Sequence, residues 1–137
     1  TNEKYSDYTL HLEWRWSGGK AVDGGIYVHL QDGDGVWPTG MQCQMAPDAL
    51  GALMGGKMSG AEQRGPDFFF KSVINDKIVE KPVGEWNTTD IECIGKHIKV
   101  TINGELVNET DCEESEGYIG MQSEGAPLQF RNVYLVK

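Results

Sequence analysis

Six polar residues occupy alternate positions in segments whose other positions are largely apolar. Glu13 and Arg15 interleave with Trp14 and Trp16, Gln42 and Gln44 flank Cys43, and Gln122 and Glu124 follow Gly117-Tyr118-Ile119-Gly120. Carboxylates and amides exchange paired hydrogen bonds with hydroxyl groups, and Trp or Tyr faces stack on the C–H groups of sugars. Trp37, beside Pro38 in a loop, is the candidate stacking platform. Together these residue types would recognise a polyhydroxylated ligand. The same parity describes the outward residues of a solvated sheet, and the residues alone leave both readings open.

The motifs of several other chemistries are absent from the sequence. There is no Walker loop, no dinucleotide-binding glycine fingerprint, no GxSxG elbow and no HExxH. Asp32 and Asp34 open like a calcium loop, but Val36 and Cys43 stand where further ligands belong, so a turn is the reading. Cys43, Cys93 and Cys112 are odd in number, widely spaced and without a CxxC pair, which argues against structural zinc. Three free, buried or half-buried thiols are one reading, and a disulfide with one thiol the other. Asn87-Thr88-Thr89 and Asn108-Glu109-Thr110 match the glycosylation acceptor, which matters only in a eukaryotic secretory cell.

The elements that must position these residues are strands. Tyr8, Leu10, Leu12, Trp14 and Trp16 share one face, while Thr9, His11, Glu13 and Arg15 share the other. That alternation predicts a strand of an antiparallel sheet. Further strands are expected at 25–30, 41–45, 86–94, 97–102, 105–108, 118–122 and 128–136, with one or two between Phe68 and Val79. Asn103-Gly104 is the strongest hairpin signal, and Asp32-Gly33-Asp34-Gly35 reads as a turn. Ala49–Met54 suits a short helical turn or a strand, and five glycines between Pro47 and Pro66 argue against a long helix. Nine to eleven short strands and no confident helix imply an all-β antiparallel sandwich or jelly roll.

Composition agrees. The chain has 137 residues, 18 of them glycine, enough for one domain with a single core. Twelve Lys and Arg against 21 Asp and Glu give a formal net charge of −9. That balance excludes a nucleic-acid backbone and an anionic membrane as partners, since both demand a basic patch, and it fits a neutral sugar better than an anionic one. No apolar run approaches the ~20 residues of a membrane span, which reads as a soluble chain. The opening Thr1-Asn2-Glu3-Lys4 is polar, lacks an initiator Met and carries no signal peptide, as expected of a trimmed chain.

Several segments resemble a known family in order and interval. They are Leu12-Glu13-Trp14-Arg15-Trp16, Asp23-Gly24-Gly25-Ile26-Tyr27-Val28-His29, Val36-Trp37-Pro38 and Gln42-Cys43-Gln44. Gly84-Glu85-Trp86-Asn87, Asn103-Gly104, Gln122-Ser123-Glu124-Gly125 and Phe130-Arg131-Asn132 follow, and are the more specific half. Together they resemble the 3-keto-disaccharide hydrolase domain, across essentially the whole chain. The resemblance implies a concanavalin A-like fold, a carbohydrate partner and a periplasmic or cell-surface location. It also implies that the family's extra N-terminal stretch, before the segment matching Tyr5 to Trp16, is missing here. The family's Asn-Ser-Gly appears as Asp23-Gly24-Gly25, and a common Glu is replaced by Gln42.

A conventional glycosidase places two carboxylates across the scissile bond. Arg15 occupies the alternate position to Glu13, so no same-strand carboxylate pair exists. A 3-keto sugar offers another route. Its C3 carbonyl acidifies the C2 proton, and the C1 substituent leaves by β-elimination, followed by hydration. One base is needed, with a donor or a divalent metal at the enolate oxygen; no other cofactor is implied. On this reading Glu13 is the base or orients it, and Arg15 or His29 stabilises the charge. Trp37, Gln42, Gln44, Gln122 and Glu124 bind the substrate. The rival reading is a non-catalytic carbohydrate-binding module on the same scaffold.

Overall fold

A computed structural model describes residues 1–33, 39–72 and 79–137. Eleven strands cross them: β1 (Tyr8–Trp16), β2 (Asp23–Leu30), β3 (Met41–Gln44), β4 (Leu53–Gly55), β5 (Glu62–Gly65) and β6 (Phe68–Lys71). Then follow β7 (Asn87–Ile94), β8 (His97–Ile102), β9 (Glu105–Asp111), β10 (Tyr118–Glu124) and β11 (Leu128–Val136). No helix occurs among the described residues. The segment from Ala49 to Met54 turns through Gly51 and then enters β4, so it is part turn and part strand. Trp37, the Asp34-Gly35 part of the expected turn, and residues 73–78 of the expected strand region lie outside the described residues.

Every pairing is antiparallel. A five-stranded sheet has the order β11-β1-β7-β8-β9, and a six-stranded sheet the order β10-β2-β3-β4-β6-β5. The alternation of β1 is realised in full. Tyr8, Leu10, Leu12, Trp14 and Trp16 are buried, while the intervening residues are partly exposed. Ile91, Ile98 and Val100 join them from the same sheet, and Ile26, Val28, Met41, Cys43 and Leu53 meet them from the other. Burying a side chain of this size contributes about 1.5–3 kcal/mol, and this shared core is what fixes the two sheets face to face. Trp14 enters it without orphaning its indole, which donates to Thr89 Oγ1 at 2.8 Å.

Two of the four register shifts among the described strands bear on the site residues. Between β2 and β10 the register slips, because Tyr118 pairs with Leu30 but Gly120 with Tyr27. The extra residue belongs to β2, and His29 there has a positive φ of 54°. A second bulge separates the pairs His11–Tyr134 and Glu13–Arg131, where Asn132 of β11 has a φ of 51°. The hairpin from β8 to β9 turns on Asn103 and Gly104, with φ of 50° and 83°, as the two-residue turn with a right-handed twist requires.

Candidate functional site

Since Ile26 and Val28 of β2 and Met41 and Cys43 of β3 point into the core, the intervening positions must face outward. On the outer face of the six-stranded sheet they form the floor of a cavity of about 940 Å³, lined there by Asp23, Tyr27, Gln42, Gln44 and Gln122. Strand pairing explains the assembly. Gly25 stands opposite Gln44 on one side and Gln122 on the other, so the two amides flank a residue without a side chain.

Gln42 fills that gap. Its Nε2 donates to Gln44 Oε1 at 3.0 Å and to Gln122 Oε1 at 2.6 Å. Gln44 Nε2 in turn donates to Asp23 Oδ1 at 3.1 Å, and Gln122 Nε2 to Glu124 Oε2 at 3.1 Å. The result is a ladder of three amides with a carboxylate at each end. Ionised carboxylates only accept, so both outer amides turn their NH₂ groups outward and their carbonyls toward Gln42. Gln42 has spent both N–H bonds and keeps only its oxygen, while Gln44 and Gln122 each keep one N–H. Such a row offers an acceptor flanked by donors, which suits hydroxyl and carbonyl oxygens on neighbouring ring carbons.

Beside the amides the lining turns apolar, with Met54, the cross-strand partner of Gln42, and Phe68 and Phe69. Phe68 is 40% exposed, a large aromatic surface turned to solvent beside hydrogen-bonding groups. Lys57, Asp67 and Glu113 supply the remaining charge of the lining. Neither Asp67 nor Glu113 is hydrogen-bonded or ion-paired within the described residues. Tyr27 lies near Asp23 and Glu124, and its phenol is pushed above the usual value, first by burial and then by these two carboxylates. It therefore stays a protonated donor.

The residues expected as one site are divided by the structure. Gln42, Gln44, Gln122 and Glu124 come together as one network. Glu13 and Arg15 do not join them. They lie on the outer face of the five-stranded sheet, with the whole core between them and the cavity. Glu13 accepts from Arg131 Nη2 at 3.1 Å and from the Asn132 side chain, and these two donors hold its carboxyl below the usual range. Arg15 donates through Nε to Gln129 Oε1 at 2.7 Å. The Arg15 and Arg131 guanidiniums lie 4.6 and 3.9 Å from the centre of the Trp86 ring. This cluster clasps the bulge of β11 to β1. A carboxylate so fully engaged is a poor base, which corrects the expectation for Glu13 and Arg15 as members of the cavity.

His29 is also corrected. It is completely buried, does not line the cavity, and neither ring nitrogen has a hydrogen-bond partner among the described residues. The bulge breaks the alternation that would have turned it outward. Burial lowers its pKa, so the ring is neutral and cannot serve as the cation beside an enolate. No three His, Cys, Asp or Glu side chains converge in a metal-ligating arrangement among the described residues.

Asp23, Tyr27, Lys57, Asp67, Phe68, Phe69 and Glu113 also line the cavity, and none was a candidate site residue in the sequence. Asp23 and Tyr27 share the parity of Gly25 and were open to the alternation argument. Phe68-Phe69-Phe70 had a signal too, because consecutive aromatics on a strand cannot all face one core. Lys57 and Glu113 carried none, being loop residues brought in by the chain's path.

The model of a family described as the 3-keto-alpha-glucoside-1,2-lyase-like domain matches residues 1–136. No curated protein sequence matches the chain. Among crystal structures, a candidate glycosyl hydrolase from Parabacteroides distasonis ATCC 8503 is similar with a TM-score of 0.75 at 23% identity, covering 99% of this chain and 80% of the other. A second candidate glycosyl hydrolase from the same organism gives 0.70 at 15% identity, covering 98% and 73%. The carbohydrate-binding module CBM66 from Bacillus subtilis gives 0.68 at 18% identity, covering 99% and 78%. These structural likenesses establish the shared jelly-roll sandwich.

Proposed function

The chain belongs to the 3-keto-alpha-glucoside-1,2-lyase-like domain family, and from that premise we propose that its cavity takes a 3-keto-glycoside and cleaves it by elimination and hydration. The observation that carries this reading is the amide ladder ending in Asp23 and Glu124, set beside the exposed face of Phe68. Amides hold the ring oxygens, and the phenyl face covers the sugar C–H groups. Carboxylates outnumber cations in the lining, so the substrate is neutral rather than anionic.

The elimination needs a base at C2–H and positive charge near the C3 oxygen. Asp67 and Glu113 are the carboxylates of the lining not engaged by the ladder, and Lys57 is the cation there. One carboxylate takes the C2 proton, the electron pair forms the C1–C2 double bond, and the C1 oxygen leaves with a proton. Water then adds across that double bond to release the 3-keto monosaccharide. Incubation with a 3-keto-disaccharide, following free monosaccharide, tests the proposal. Turnover that survives both Asp67→Asn and Glu113→Gln would remove these residues from the base role.

A second reading has one observation in its favour: the centre of the floor is three uncharged amides bonded to one another. A carbohydrate-binding module would look like this. Saturable binding of the 3-keto-disaccharide in a calorimeter with no monosaccharide released would select it.

A further inference from the structure

Glycine in a strand interior loses chain entropy and packs nothing, yet β2 carries Gly24 and Gly25 side by side. Neither has the positive φ that would require glycine for the backbone. Space must be the reason, and the two positions need it for different neighbours. A Cβ on Gly24 would meet Leu128 Cδ2 at 2.9 Å and the Gln122 carbonyl oxygen at 3.0 Å, which are matters of packing between strands. The three atoms nearest a Cβ on Gly25 would all belong to Gln42, Nε2 at 2.4 Å, Cγ at 2.9 Å and Cδ at 3.0 Å.

Gln42 thus lies flat across β2, over the bare Gly25, to reach Gln122 two strands away from its own. It is only 7% exposed there, and the ladder's direction depends on it because it alone donates to both outer amides. We propose that Gly25 is a positioning residue of the cavity, whose missing side chain lets Gln42 cross β2 and set the orientation of the Gln44 and Gln122 amides. This rests on the reading of the cavity as a sugar site. Gly25 acts through Gln42 and touches no substrate itself.

The test compares Gly25→Ala, Gln42→Ala and the double variant, with Gly24→Ala as a packing control. Three readouts separate the roles: thermal midpoint, the NMR signals of the Gln side-chain amides, and calorimetric binding of a 3-keto-disaccharide. Gly25→Ala is expected to displace the amide signals of Gln42, Gln44 and Gln122 and to weaken binding by about ten-fold, the loss of one ligand hydrogen bond. In the Gln42→Ala background the added methyl has nothing left to displace, so the double variant should bind as Gln42→Ala does. Gly24→Ala is expected to lower the midpoint instead. Unmoved amide signals in Gly25→Ala, or losses that add in the double variant, would overturn the proposal. If Gly25→Ala fails to fold alone, folding restored by Gln42→Ala supports the clash, and an equally unfolded double variant refutes it. A protein that binds no sugar, yet whose amide signals move in Gly25→Ala, retains the positioning role and loses the proposed function.

Discussion

A side chain's chemistry is set by what already holds it, and Glu13 and Gln42 show the two extremes. Glu13 has its oxygens occupied by Arg131 and Asn132, which lower its pKa. Its folded-state pKa lies below the unfolded one, so its contribution to stability is present above the ordinary carboxylate range and is lost as pH falls through the folded value. Glu13→Gln is therefore expected to leave turnover of a 3-keto-glycoside unchanged and to diminish the acid-side loss of thermal midpoint; a collapse of kcat would return Glu13 to the site. Gln42 uses both of its N–H bonds on neighbours that are themselves aimed at carboxylates. Asn87 and Asn108 carry a similar lesson. Both head a glycosylation motif, yet both are buried, bonded to Asn103 and the Lys81 amide in one case and to the Gly51 and Lys71 carbonyls in the other. In the folded protein these motifs are structural.

At the scale of elements, the strands follow from alternation and the turns from glycine, but particular residues exceed their turn role. Asn103 was legible as the first residue of a hairpin turn. It also donates to the Val79 carbonyl at 2.7 Å and Asn87 Oδ1 at 2.9 Å, and accepts from the Thr88 amide at 2.9 Å. Asn103→Gly, which the turn geometry alone would favour, is expected to cost about 1–3 kcal/mol in urea unfolding, because part-buried partners are left without bonds. In β2 the Gly24→Ala methyl presses on the Gln122 carbonyl, an atom of the paired backbone, and should cost about 1–3 kcal/mol. The strands themselves were legible in sequence because a period of two needs no knowledge of the partner. The bulges were not, since they are properties of a pair: neither β2 nor β10 alone reveals that two residues of β2, Val28 and His29, stand opposite Ile119.

For the whole molecule, pH acts through groups with opposite signs. His29 is buried and its pKa is lowered, so the unfolded state binds the proton more readily and stability falls as pH drops below the ordinary 6.5. His97 sits between Asp111 at 2.8 Å and Glu109 at 3.3 Å, and Asp111 foremost raises its pKa. Its contribution is present below 6.5 and is lost as pH rises through the folded value. The thermal midpoint should therefore decline on both sides of neutrality. His29→Asn, a residue that tolerates the positive φ, should flatten the decline between pH 7 and 5, whereas His97→Gln should flatten only the alkaline side. The three thiols are free and buried, and burial pushes Cys43 and Cys93 up to about 12. A thiol-reactive chromogenic reagent is expected to label essentially none in the native protein and all three in guanidinium.

The amino-acid sequence by itself determined the strand content, which residues of β1 and β3 point away from the core, and the amide-and-carboxylate chemistry those positions present. These are local matters, decided by side-chain type and a period of two. Only the tertiary structure decided which outward residues meet. Parity says that Glu13 and Gln42 both face out, but two sheets back to back have two outer faces, and the strand order puts one residue on each. It also decided that His29 turns in, through a bulge that shifts parity by one, and that Gln42 reaches across β2, through a glycine whose neighbour could be known only once the strands were paired.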